Sequence, residues 1–142
     1  GPEDGAGAAR SMRAALRQAR LQARDIQHLN AHATSTPVGD RGELAAMRQV
    51  FGAGFGPSIT ATKSALGHML GAAGGAAAIF TVLALRDQVA PPVLNLEHPD
   101  LLADGLDLIA GSARAHAIEH AMLNGFGFGG VNASLILKRF TA

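Results

Sequence analysis

Residues 25–43 run Asp25-Ile-Gln-His-Leu-Asn30-Ala-His32-Ala-Thr34-Ser-Thr36-Pro-Val-Gly-Asp40-Arg-Gly-Glu43, and they set the fold class. Residues 25–31 are short and apolar at Ile26, Leu29 and Ala31, as a strand is. A run of His, Thr, Ser and Pro then reads as a loop. Asp40 is expected to cap a helix with Leu44, Met47 and Phe51 inward, and Glu43 stands where a capping box needs it. Strand, loop and helix in this order form the repeating unit of an α/β protein.

Working outward, Met12, Leu16 and Ala19 lie at helical spacing, with Arg13, Arg17 and Arg20 elsewhere on the turn. That predicts an amphipathic helix over 6–23. Downstream, 52–57 is a turn cluster and 58–62 a strand. Residues 66–86 are apolar nearly all round and read as one buried helix. Gly71, Gly74 and Gly75 each weaken it by roughly 1 kcal/mol against Ala, which points to close approach of another backbone. Pro91 and Pro92 end that unit. Residues 106–110, 118–124 and 131–138 read as strands; in the last, Val131, Ala133, Leu135 and Leu137 alternate with Asn132 and Ser134. The expectation is a single α/β domain over 1–142, a mixed sheet with packed helices, without repeat or linker.

Composition narrows the function classes. At 142 residues and 48% hydrophobic, the chain is long and apolar enough for a core. A net charge of +1 gives no electrostatic footprint for nucleic acid. No cysteine is present, which excludes disulfides, thiolate-bound metals and a cysteine nucleophile within the chain. The low-charge stretch 66–85 is rich in Gly and Ala and holds His68, so it is read as a buried helix rather than a membrane span. No signal peptide is visible, and a cytoplasmic protein is expected. Gly1 and Pro2 fit either a cloning remnant or native residues.

Three segments are chemically unusual. In residues 30–40 a histidine stands at a strand end, followed by three hydroxyl residues, and ligands gather at strand ends in α/β sheets. A loop histidine is as a rule solvated or packed, and Ser and Thr are ordinary turn residues. In Thr62-Lys63-Ser-Ala-Leu-Gly-His68, a lysine and a histidine five residues apart sit at the mouth of an apolar helix. They face either a polar cavity or solvent at a helix end. In Asn124-Gly-Phe126-Gly-Phe128-Gly-Gly130, bare backbone N–H groups alternate with aromatic side chains. This is either an oxyanion-binding nest or a hairpin turn with core phenylalanines. It lacks the spacing and the Lys-Ser/Thr of a phosphate loop.

Taken together and in this order, the three segments resemble the C-terminal motifs of the elongating β-ketoacyl-acyl-carrier-protein synthases, type II in particular. Gly5-Ala6-Gly7, Leu83-Ala84-Leu85-Arg86-Asp87, Pro91-Pro92 and Asn95 extend the likeness across the chain. The resemblance implies the second half of a thiolase-like layered αβαβα fold, lacking its first strand. The first half would carry a cysteine that takes the acyl chain from acyl-carrier protein. Malonyl-carrier protein then loses carbon dioxide, and the carbanion attacks the acyl thioester. Negative charge builds on the thioester oxygen, where one oriented N–H donor is worth about 2.7–4 kcal/mol.

By resemblance, His32 and His68 supply those donors and Lys63 sets the local field. Thr34 and Thr36 match hydroxyls that bind the carrier's pantetheine arm. The Phe128 N–H matches an oxyanion-hole donor, its ring matches the gate to the acyl pocket, and Phe126 matches a residue lining the substrate site. No cofactor is implied beyond the phosphopantetheine arm of acyl-carrier protein. The implied partners are acyl-carrier protein and a second subunit in a homodimer, with neither nucleic acid nor membrane.

Three positions depart from the family: Ala33 and Gly125 replace the usual Gly and Ser, and Ala77 replaces a glutamate linked to the lysine. Asp40, Glu43 or ordered water is expected to take that glutamate's role. Retention of both histidines argues against a non-catalytic chain-length-factor-like subunit, although Ala77 argues weakly for it. A thiolase acting on coenzyme A esters would need a second cysteine in this half.

Overall fold

The computed structural model describes residues 4–54 and 56–142; Gly1, Pro2 and position 55 of the 52–57 turn cluster lie outside them. Its centre is a five-stranded sheet in the order β4–β2–β1–β6–β7, with β1 His28–Asn30, β2 Ser58–Thr60, β4 Asp107–Leu108, β6 His120–Phe126 and β7 Asn132–Lys138. Strands β4, β2, β1 and β6 run parallel and β7 is antiparallel to β6, so the sheet is mixed as expected. Two residues each of β3, Val89–Ala90, and β5, Arg114–Ala115, pair separately.

Helix α1, Ala6–Ala19, ends where Arg20 turns left-handed, short of the predicted 23. Its Ala8, Ala9, Met12 and Leu16 meet Ala46 and Met47 of α2, Pro37–Phe51, and Leu29, Ile59 and Met122 of the sheet. Gly5 holds the α1–α2 crossing: its φ is +70°, and a Cβ there would clash with the Gly42 carbonyl oxygen. On β1, Leu29 faces this core while His28 and Asn30 face the opposite side, as period-two alternation requires. Helix α4, Ala73–Asp87, covers that side through Ala77, Thr81, Ala84 and Leu85. On β7, Ser134 bonds Ser11 of α1, whereas Ala133 and Leu135 on the other face are exposed.

Four expectations need correction. Helix α2 begins at Pro37, not after Asp40. Proline's fixed φ and missing N–H suit the first helical position, so Thr36 precedes the helix and Asp40 lies in its first turn. The single helix over 66–86 is two: α3, Lys63–Leu66, ends at Gly67 with φ +75°, and a 3-10 turn at Leu70–Ala72 leads into α4. Nor is that segment buried: the stretch Leu70–Asp87, apolar and long enough to cross a membrane by length and composition, is 22% buried. Gly71, Gly74 and Gly75 meet no atom within 4 Å of an added Cβ, so among the described residues no backbone approaches them.

Candidate active site

The parallel strands deliver their side chains to one edge. From β1 the chain passes to β2 and β4 on one side, and later to β6 on the other. This reversal leaves a crevice beyond the carboxyl ends of β1 and β6. His32 lies just past β1, Lys63 and His68 follow β2, and Phe126 ends β6. The His32 and His68 rings meet edge to face with centroids 5.9 Å apart, and the Phe126 ring is 5.5 Å from His32. Residues spaced over almost a hundred positions thus share one site.

The electrostatics keep His32 neutral. Burial, then the Lys63 charge, then His68 bring its pKa down to about 4. Its Nδ1 is buried and has no partner among the described residues. His68 Nδ1 accepts the Leu70 backbone N–H at 3.2 Å, which places the ring proton of its neutral form on Nε2. Burial also lowers the Lys63 ammonium, and the Glu43 charge partly offsets this. A void of about 10 Å³ lies beside Lys63, bounded by Thr62, Leu66, Ala73 and Ala77 among others.

Glu43 does something the sequence reading missed. Its fully buried carboxylate accepts the backbone N–H groups of His32 and Ala33, each at 2.8 Å. Asn124 Nδ2 donates to it at 3.2 Å, and Ser134 in turn donates to Asn124 Oδ1 at 2.8 Å. Because that uses the Ser134 proton, Ser11 donates to Ser134 at 3.0 Å. One chain of hydrogen bonds therefore joins α1, β7, β6 and α2 to the His32 loop. Burial raises the Glu43 pKa, opposed by the two backbone donors and by Asn124. The loop needs this clamp because Ala33 and Ser35 have φ of +35° and +65°.

Of the carboxylates expected at Lys63, Glu43 acts on it through its charge and not through a direct ion pair. Among the described residues no carboxylate pairs with Lys63; Asp40 accepts the Ser35 N–H and Glu43 clamps the His32 loop. Asn30 occupies the neighbourhood of Ala77 instead, donating to the Ala77 carbonyl at 3.3 Å and facing the hydroxyls of Thr62 and Thr81 at 3.4 Å. Thr34 and Thr36 stand together on the loop, their Oγ1 atoms 3.3 Å apart. The 124–130 segment is a hairpin end, with the Gly127 N–H on the Val131 carbonyl at 2.7 Å. Phe126 packs against the core, but Phe128 projects fully into solvent. A cavity of about 460 Å³ lies behind the loop, between α2 and residues 93–103, and none of His32, Lys63 or His68 lines it.

Comparison with known proteins gives the family and the fold. The family model for the β-ketoacyl synthase C-terminal domain matches residues 2–97. A 3-oxoacyl-[acyl-carrier-protein] synthase 2 of Rhizobium meliloti is 50% identical over 140 residues, covering 98% of this chain and 33% of the relative. A β-ketoacyl synthase from Burkholderia phymatum superimposes with a TM-score of 0.89 at 42% identity, over 94% of this chain and 32% of that one. A type II polyketide ketosynthase, solved with its acyl-carrier protein and bound to the hexaketide, gives 0.90 at 32% identity, over 99% and 34%. The chain spans about a third of the length of these proteins, and its fold is the thiolase-like α/β arrangement they share. It belongs to the β-ketoacyl synthase family, whose C-terminal domain it carries.

Proposed function

We propose that this chain is the part of a 3-oxoacyl-[acyl-carrier-protein] synthase that drives malonyl decarboxylation. The observation that carries the reading is the meeting of His32 and His68, ring centroids 5.9 Å apart, beside a half-buried lysine. A histidine with a pKa of about 4 stays neutral at physiological pH and offers an N–H without giving up the proton. The His68 Nε2–H, opposite the Nδ1 that accepts from Leu70, supplies a second N–H. Two donors converging on one oxygen suit the enolate formed when carbon dioxide leaves. Thr34 and Thr36 would hold the pantetheine arm, and the Phe128 N–H and ring would serve acyl transfer and gating.

The nucleophilic cysteine is assigned to the part of the protein represented in its relatives and not in these 142 residues, so this chain by itself should not condense acyl and malonyl groups. Acyl-carrier protein as substrate carrier, a homodimer of the full-length protein and a cytoplasmic setting, with no nucleic acid and no membrane, complete the proposal. The non-catalytic partner reading is disfavoured, since such a subunit has no need of two histidines brought together.

The test separates the half-reactions in a full-length protein carrying this domain. His32→Ala and His68→Ala should each cut malonyl decarboxylation by at least about 100-fold. Acylation of the cysteine, which uses backbone donors, should suffer much less. Equal loss of both steps would mean the histidines are structural, and turnover by the 142-residue chain alone would refute the assignment of the nucleophile.

A further inference from the structure

Arg10, Arg13, Arg17, Arg20 and Arg24 follow one another at steps of three, four, three and four, and no acid lies between Asp4 and Asp25. On α1 the first three fall within a sector of about 60°. Arg20 closes the helix, and Arg24 follows in the 3-10 turn Ala23–Asp25. All five are exposed, while Ala8, Ala9, Met12 and Leu16 hold the buried side. Arg13 is fixed in place by its Nη2, which donates to the Gln49 carbonyl near the end of α2 at 3.1 Å. Such a row works against the helix, because like charges three and four residues apart repel. Elsewhere the chain pairs its charges: Arg41 with Asp100, Arg86 with Asp87, Arg114 with Asp107 and Lys138 with Glu119. Among the described residues no ion pair reaches the five arginines.

The row lies where the other half of the fold does not cover it. Helices α1 and α2 pack on the face of the sheet opposite α4. In the αβαβα order of the thiolase-like fold, the outward side of α4 belongs to the middle layer, which puts α1 in the outermost one. Gly7, near the start of α1, lies beside Asn132, which pairs with Phe126 at the site edge of the sheet. The other end of α1 leads into the beginning of β1. The row therefore runs from the site edge toward the far edge, away from His32 and His68, and what binds it is distinct from the substrate.

We propose that this row docks an acidic α-helix of a partner protein, one that carries carboxylates along a single face. Steps of three and four residues are about 4.5 and 6 Å of helical rise. A second helix laid along α1 presents its own carboxylates at the same steps, so successive guanidinium groups each meet one in fork geometry. The two other anionic partners fit less well. A phospholipid surface is held by large apolar side chains next to the basic ones, whereas Gln18, Ala19 and Gln22 are the exposed neighbours here. Nucleic acid is gripped by aromatic side chains between the basic ones, and residues 4–26 contain none.

The probe is a labelled, stapled helical peptide with glutamates at steps of three, four, three and four, titrated by fluorescence anisotropy with a full-length protein that carries this domain. The assay reads no catalysis, so it stands apart from the test of the proposed function. Saturable binding is expected, weakening at least about tenfold between roughly 0.05 and 0.3 M salt. A stapled peptide of the same composition with its glutamates spread round the helix should bind at least about tenfold more weakly. Arg17→Glu should weaken binding at least about tenfold, because it sets a carboxylate against carboxylates. Arg114→Glu changes the charge equally on the short strand Arg114–Ala115, outside the row, and should change binding by less than about twofold. Should Arg17→Glu lower the urea midpoint, Arg17→Gln decides, with an expected loss of at least about threefold. Absence of binding at low salt, equal binding of both peptides, equal effects of the Arg17 and Arg114 variants, or tighter binding to phosphatidylserine vesicles or duplex DNA than to the peptide would overturn the proposal.

Discussion

Glu43 is where the structure makes its strongest demand. Glu43→Leu would leave the His32 and Ala33 N–H groups and Asn124 Nδ2 without their acceptor in a largely buried site. Each unsatisfied buried donor costs about 1–3 kcal/mol, and partial relaxation brings the sum to about 3–6 kcal/mol. That is a large share of the 5–15 kcal/mol typical of a domain. Glu43→Gln is the sharper variant, since it keeps the shape and one acceptor oxygen but turns an NH₂ group against a backbone donor. It should cost about 2–3 kcal/mol. Urea denaturation measures the stability, and amide hydrogen exchange localises the loss, with the His32 and Ala33 amides released first. If Glu43→Gln lies within about 0.5 kcal/mol of wild type and both amides exchange no faster, the clamp argument fails.

Other outcomes follow from the same geometry. His28 is buried on β1 with Nδ1 on Ser58 Oγ at 2.8 Å, Nε2 without a partner among the described residues, and a pKa brought down to about 4 by burial and then by His116. The unfolded chain takes up a proton near pH 6.5 and the folded chain only near 4, so stability is full above 6.5 and falls by about 3 kcal/mol as pH drops through that window. Denaturation midpoints should show this slope, and His28→Gln should remove the His28 share of it, leaving the share of His32, whose pKa is lowered in the same direction. Ala33→Gly, relieving a φ of +35°, should raise stability by about 1 kcal/mol in the same assay.

The elements of this fold were legible because each carries its own period and punctuation: α1 by its Met12–Leu16 stripe, and β6 and β7 by apolar runs on either side of a glycine-rich turn. The histidines and lysine stood out because ionisable groups at strand ends are unusual. Glu43 was misread because a carboxylate three residues after Asp40 imitates a capping box. The Thr36-Pro37 pair was the signal that the helix starts earlier and that Glu43 lies a turn deeper. Exposure of α4 was not legible at all. Apolar residues on every side say that a helix wants burial, but not whether the covering surface belongs to the same chain.

Ala77 is the remaining test of what this site has become. The side chain is buried against β1, and its carbonyl is held by Asn30 Nδ2 at 3.3 Å and Thr81 Oγ1 at 2.7 Å. The void between it and Lys63, about 10 Å³, has room for about one water, not for the three further heavy atoms and the carbon stem of a glutamate. Ala77→Glu therefore sets an attraction to Lys63 against overpacking of about 1–3 kcal/mol. Asn30 already bonds both Thr62 and Thr81 where a new carboxylate would need its donors. In a full-length protein the decarboxylation rate should thus change little or fall. A rise of tenfold or more, about 1.4 kcal/mol of barrier, would mean that the lysine lacks a partner it needs. The histidines would then be relics of a site in decline, and a non-catalytic subunit would become the better reading. An unchanged or lower rate, with His32→Ala still abolishing decarboxylation, would mean that the neutral Asn30 cluster and the more distant Glu43 charge are sufficient for Lys63.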